Sequence, residues 1–113
     1  VGMSEQTPDG RDQHTPGAKL DAGKNRVGLV LGGFARALTE VSRVGTGGAQ
    51  KYTDNGWMYV SDGRSRYTDA MYRHLLREAA GETHDPDSEL LHAAHTAWNA
   101  LARLDLMLRE GER

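Results

Sequence analysis

The sequence predicts an all-α domain: a small helical bundle built round a long antiparallel helix hairpin and completed by oligomerisation. Three observations carry this. Apolar residues recur at helical spacing in three stretches, no stretch alternates in the two-residue period of a half-buried strand, and only a short turn-rich segment parts the last two helical stretches. At 113 residues the chain is one domain in length, and a hydrophobic content of 37% leaves a small core, which favours burial against a second copy.

Residues 1–18 are polar, rich in Gly and Pro and without periodicity, so they are expected to form a disordered arm preceding a single helical, nucleotide-binding domain over 19–113. Val1-Gly2 ahead of Met3 reads as a vector-derived extension. Residues 19–28 contain two lysines among glycines and read as a loop. A first helix is predicted over about 29–44, on the stripe Leu31, Phe34, Leu38 and Val41, ended by Gly45-Thr46-Gly47-Gly48. Residues 49–64 contain Asn-Gly and Asp-Gly turn pairs, with a short hairpin round Trp57–Val60. A second helix is predicted from about Ser65 to Ala80 with Gly81 at its end, on the stripe Tyr67, Met71, Leu75 and Ala79. A third starts at Asp85-Pro86, a capping residue followed by a first-turn proline, and reaches about Arg109 on Leu91, Ala94, Trp98, Leu101 and Leu108. About five connecting residues would pack the two as a hairpin.

The chemistry concentrates between His74 and His95. Four of the five histidines lie there, interleaved with Glu78, Glu82, Asp85, Asp87 and Glu89. Imidazole and carboxylate groups bind divalent cations or move protons near neutral pH. On the third helix Ser88, His92, His95 and Asn99 form one polar strip, while Glu78 is aimed at the apolar side of the second. A carboxylate there requires a partner or a cation. Facing helices that donate both groups form metal sites in helical bundles, so Glu78, Glu82, Asp85, His92 and His95 are candidate ligands. The competing reading has these histidines merely hydrogen-bonded to a partner helix. Arg66, Arg73 and Arg77 share a sector beside His74 and suit phosphate, as do Lys24 and Lys51 in loops; Tyr52 and Trp57 can stack on a base.

Several classes are excluded. Without cysteine there are no disulfides, thiolate sites or cysteine nucleophiles. Neither lysine sits in a P-loop, and no nucleophile elbow is present. A net charge of −2 and a pI near 6.2 give no basis for a nucleic-acid surface. Mean hydropathy is −0.68, and no apolar run approaches the roughly 18 residues of a membrane span, so a cytoplasmic protein is expected.

Five ordered segments carry a resemblance: DAGK (21–24), GAQKY through Trp57 (48–57), RYTDAMYRHLL (66–76), GETHDPDS (81–88) and HAAHTAWN (92–99). Together they resemble the small phage domain of the dATP/dGTP diphosphohydrolase family, which we associate with the all-α MazG-type nucleotide pyrophosphohydrolases. The resemblance covers about 19–108. It implies a phage origin, hence the host cytoplasm, an oligomer and a Mg²⁺-dependent (or Mn²⁺-dependent) conversion of purine dNTP to dNMP. Carried over by position are Lys24, Lys51, Tyr52, Trp57, Arg73, His74, Gly81, Glu82, Asp85, Ser88, His92, His95 and Asn99. Glu82 and His92 are the expected catalytic pair; Lys24, Lys51, Tyr52, Trp57, Arg73, His74 and Asn99 are the expected substrate contacts. The chain departs from the family pattern at Gly56, usually Asn, at Glu89, usually Gly, and in the VLGGFARAL segment. The ExxE…ExxD signature of MazG-type enzymes is replaced by Glu78-x-x-x-Glu82 and an HxxH pair. The alternatives are a phage protein that sequesters a nucleotide or nucleotide-derived signal without turnover, and a helical interaction protein.

Overall fold

The computed structural model describes residues 7–111, and among them every regular element is helical. Four α-helices follow in order, α1 (Gly28–Gly33), α2 (Ala35–Lys51), α3 (Gly63–Ala79) and α4 (His92–Gly111), with one 3-10 turn at Gly56–Tyr59. The chain divides into two units, Val1–Gly33 and Phe34–Arg113.

In the first unit, residues 1–6 of the expected arm lie outside the described residues. Residues 7–24 form successive turns closed by backbone bonds such as Gly10 N–H to Thr7 O (2.8 Å) and Ala18 N–H to Thr15 O (2.9 Å). Thr7 is buried, with its hydroxyl on the Asp9 carboxylate. The helix α1 ends the unit, and its apolar side chains are largely exposed, Leu31 by 59%.

The second unit is organised on α3 and α4. Three contacts fix their direction: His74 meets His92, Thr68 meets Arg103, and Arg64 meets Glu110. As residue number falls along α3 it rises along α4, so the pair is antiparallel, as the sequence predicts. The apolar side chains buried among the described residues are small, Val44, Ala94 and Ala102. Cohesion therefore rests on a half-buried aromatic group. Trp98 meets Tyr67 and Trp57 edge-on at centroid distances of 5.5 and 6.0 Å, and the Tyr67 hydroxyl donates to the Trp57 carbonyl (2.9 Å). Edge-to-face pairs add about 0.5–1.5 kcal/mol each beyond their buried area. An open apolar groove of about 380 Å³ lies between α2 and α4, lined by Val41, Trp57, Trp98, Leu101, Leu104 and Leu108.

Three expectations require correction. The first helix is broken at Phe34 and does not stop at the Gly-Thr-Gly-Gly run; α2 continues to Lys51. Packing outweighs propensity there, because Gly45 lies against the Trp98 indole, where an added Cβ would stand 3.3 Å from Nε1. The Thr39 and Thr46 hydroxyls also bond back to the carbonyls of Ala35 and Ser42, so these residues are satisfied inside a helix. The Trp57–Val60 hairpin is instead the 3-10 turn, flanked by Asn55 and Asp62 in left-handed conformation. The last helix begins at His92 and not at Pro86.

Residues 80–91 fold back on themselves in place of that helix's first turns. Asp85 N–H reaches the Leu90 carbonyl (2.8 Å), His92 N–H reaches the Thr83 carbonyl (3.0 Å), and His84 and Leu91 form an isolated antiparallel bridge. Asp85 does act as a cap, but of this turn: its carboxylate accepts the Ser88 N–H (3.0 Å). Glu89 closes the turn at φ 63°, a conformation that favours glycine, the residue usual there in the resembling family.

Candidate metal centre

The fold-back loop and the antiparallel pair bring one end of α3, the start of α4 and the 82–88 segment together. His92, the first residue of α4, is completely enclosed. Its Nε2 lies 2.7 Å from the Glu82 carboxylate and its Nδ1 lies 2.8 Å from Nδ1 of His74 on α3. His95, one turn along α4, stacks parallel on His74 with centroids 4.5 Å apart. The His95 Nε2 is 2.7 Å from the Ser88 hydroxyl and 3.7 Å from the Asp85 carboxylate. Buried polar groups of this kind persist only when their hydrogen bonds are met, and here every enclosed side-chain polar atom among the described residues has a partner.

One combination within the cluster could hold a metal ion. Donor atoms of His74, Asp85 and His92 all lie within 4.8 Å of one another, Asp85 and His92 being buried. Three protein ligands is the number common in catalytic metal sites. The protonation states suit it. Burial draws His74 below the ordinary imidazole value, and its neighbours His95 and His92 add to the effect against the opposing pull of Asp85. Burial also lowers His95, with Asp85 opposing. For Asp85 burial alone would raise the value, but the two hydrogen bonds from Ser88 and the adjacent His95 and His74 hold the carboxyl below its ordinary range. Near neutral pH these shifts favour neutral imidazole on His74 and an ionised Asp85 carboxylate, the charge states a cation needs.

The other residues singled out by sequence lie as follows. Glu82 touches His92 and, at 3.6 Å, Arg77. Glu78 is exposed, which corrects its angular assignment to the apolar side. Asn99 is buried and gives an amide N–H to the His95 carbonyl of its own helix (2.8 Å). Trp57 packs in the aromatic group. Lys51 lies over the ring of the exposed Tyr52, and Arg73 is exposed beside His74. Lys24 belongs to the other unit. The sequence pattern set His74 among the arginines as a substrate contact, and the structure brings it into the cluster with Asp85 and His92. The signal that finds it is register: α4 begins six residues later than its capping signal suggests, so His92 faces a residue one turn further back along α3 than Glu78.

Comparison with known proteins gives the following. The family model described as dATP/dGTP diphosphohydrolase, N-terminal, matches residues 14–113. A dATP/dGTP diphosphohydrolase of Salmonella phage PMBT28 is 37% identical over 81 residues, a match covering 72% of this chain and 26% of that protein. The chain therefore spans only a minor part of its relative's length. No solved structure matches it.

Proposed function

The chain belongs to the dATP/dGTP diphosphohydrolase N-terminal family, and from that premise we propose that it binds purine deoxynucleoside triphosphates at a divalent-metal centre and hydrolyses them to monophosphate and pyrophosphate. The observation that supports this most is the convergence of His74, Asp85 and His92. His74, Asp85 and His92 would hold a divalent cation, which would supply Lewis acidity toward phosphoryl oxygens. The chain's own groups do the rest. His95, neutral and positioned by Ser88, takes the proton of the attacking water. Water adds at the α-phosphorus, the bond to the β-phosphate oxygen breaks, and pyrophosphate leaves. The exposed Arg73 and Arg77 on α3 and Lys51 at the end of α2 offer charge to the phosphates, and Tyr52 offers a stacking face. No helix among the described residues is long and apolar enough to cross a membrane. A second copy covers the exposed apolar row Leu101, Leu104 and Leu108 of α4.

Incubation with each dNTP and NTP, with and without divalent metal, followed by chromatography, tests the reading. Metal-dependent monophosphate, lost in Asp85→Asn and His95→Ala variants that keep their helical circular dichroism, is the expected result. Retention of unchanged nucleotide would favour the sequestering reading, and neither turnover nor binding would overturn both.

A further inference from the structure

We propose that this centre takes a first-row transition metal and not magnesium, and that Glu82 orients His92 from outside the coordination sphere instead of ligating the ion. The inference rests on the metal reading above and deepens it.

The two ring nitrogens of His92 face different partners. Its Nε2 faces the Glu82 carboxylate at 2.7 Å. An ionised carboxylate only accepts, so Nε2 carries the proton and donates. In the neutral ring Nδ1 is then a bare lone pair, and it points at His74 Nδ1, 2.8 Å away. That short nitrogen–nitrogen contact holds a single proton, donated by His74. A cation can take the place of this proton. Two imidazole nitrogens bound to one ion at about 2.1 Å stand roughly 3.0–3.4 Å apart, so the pair has to open by only a few tenths of an ångström. His74, which is partly exposed while His92 is enclosed, is the ring free to move.

Donor chemistry then selects the metal. Two imidazole nitrogens and one carboxylate suit Mn²⁺, Fe²⁺, Co²⁺ or Zn²⁺, whereas Mg²⁺ prefers an all-oxygen shell and keeps its water. Glu82 is unsuited to the inner shell, because it binds the ring nitrogen on the far side from His74. Its place matches the carboxylate–histidine–metal arrangement, in which the outer carboxylate fixes the tautomer and raises the basicity of the ligating nitrogen. Arg77 at 3.6 Å steadies that carboxylate. Glu82 is thus a positioning residue, and its side chain, 46% exposed, can be changed without opening the core.

The test uses metal alone, without nucleotide. Calorimetric titration of the metal-free protein with Mn²⁺, Co²⁺, Zn²⁺ and Mg²⁺ is expected to give one site for the first three and none for Mg²⁺. The Co²⁺ complex supplies a visible spectrum that reports its ligands. Glu82→Gln and Glu82→Ala should weaken Co²⁺ about 10- to 100-fold while leaving that spectrum's shape unchanged. His74→Ala and Asp85→Asn should alter the shape. Binding of Mg²⁺ in preference to the others, unchanged affinity in both Glu82 variants, or a changed spectrum in them would overturn the proposal. Because no substrate is present, metal binding without turnover leaves it standing and refutes only the hydrolytic reading. Turnover with Mg²⁺ alone refutes it and spares that reading.

Discussion

His92→Ala is the perturbation with the largest predicted effect on the metal-free fold. The ring is 0% exposed and holds the Glu82 carboxylate at 2.7 Å and His74 at 2.8 Å. A neutral hydrogen bond nets about 0.5–1.5 kcal/mol and one to a charged group about 1.5–3 kcal/mol. The freed Glu82 carboxylate is 46% exposed and returns to water, so it adds no penalty for a stranded charge. The void left at the start of α4 adds on the order of 1 kcal/mol. The total is about 3–5.5 kcal/mol, which for a chain of this size lowers Tm by about 12–22 °C. Urea unfolding followed by circular dichroism is the assay, and the midpoint should fall with little change in slope. His92→Phe, which refills the space without the hydrogen bonds, should recover the void's share. A loss below about 1 kcal/mol in His92→Ala would show that this ring is not the enclosed hub described above.

Three further outcomes are expected. His74 and His95 titrate below the ordinary 6.5 in the folded chain, so the unfolded chain binds more protons just below that value. Stability of the metal-free protein should therefore be full above pH 6.5 and fall as pH drops through the folded values, with Asp85 adding a further loss below 3.8; a Tm that rises between pH 7.5 and 5 would contradict this. Gly47→Ala and Gly48→Ala, whose added Cβ atoms meet nothing within 4 Å, should each stabilise α2 by about 0.5–1 kcal/mol in urea unfolding, whereas Gly45→Ala gains less because of Trp98. Glu89→Gly should relieve the left-handed φ of 63° and raise stability by about 0.5–1 kcal/mol, and a loss on thermal melting would argue against that conformation.

How far the sequence discloses the site depends on the residue. The stripe Tyr67, Met71, Leu75 and Ala79 places α3 to within two residues at either end, because a period near 3.6 has no competing interpretation there. Glu82, Asp85, His92 and His95 are legible as one constellation, since each carries metal or proton chemistry and the hairpin brings both helices to one end. Asp85-Pro86 is ambiguous in principle: a capping acid before proline opens a helix or a tight turn equally well. Taking it as a helix start shortens the connection, shifts the register by a turn and exchanges Glu78 for His74. The glycines of α2 misled for a related reason, because propensity is local while the Trp98 contact that demands Gly45 is not.

The proposed function and the choice of metal both require His74, Asp85 and His92 to hold one ion. Substoichiometric Cu²⁺, the tightest-binding of the divalent series, allows the ligating nitrogens to be counted directly by electron paramagnetic resonance. Two strongly coupled imidazole nitrogens are predicted in a reference variant with His14 and His84 replaced by alanine, so that no other exposed imidazole competes, and one when His74→Ala is added to it. The same two-nitrogen pattern after His74→Ala, or no nitrogen coupling at all in the reference variant, would contradict it.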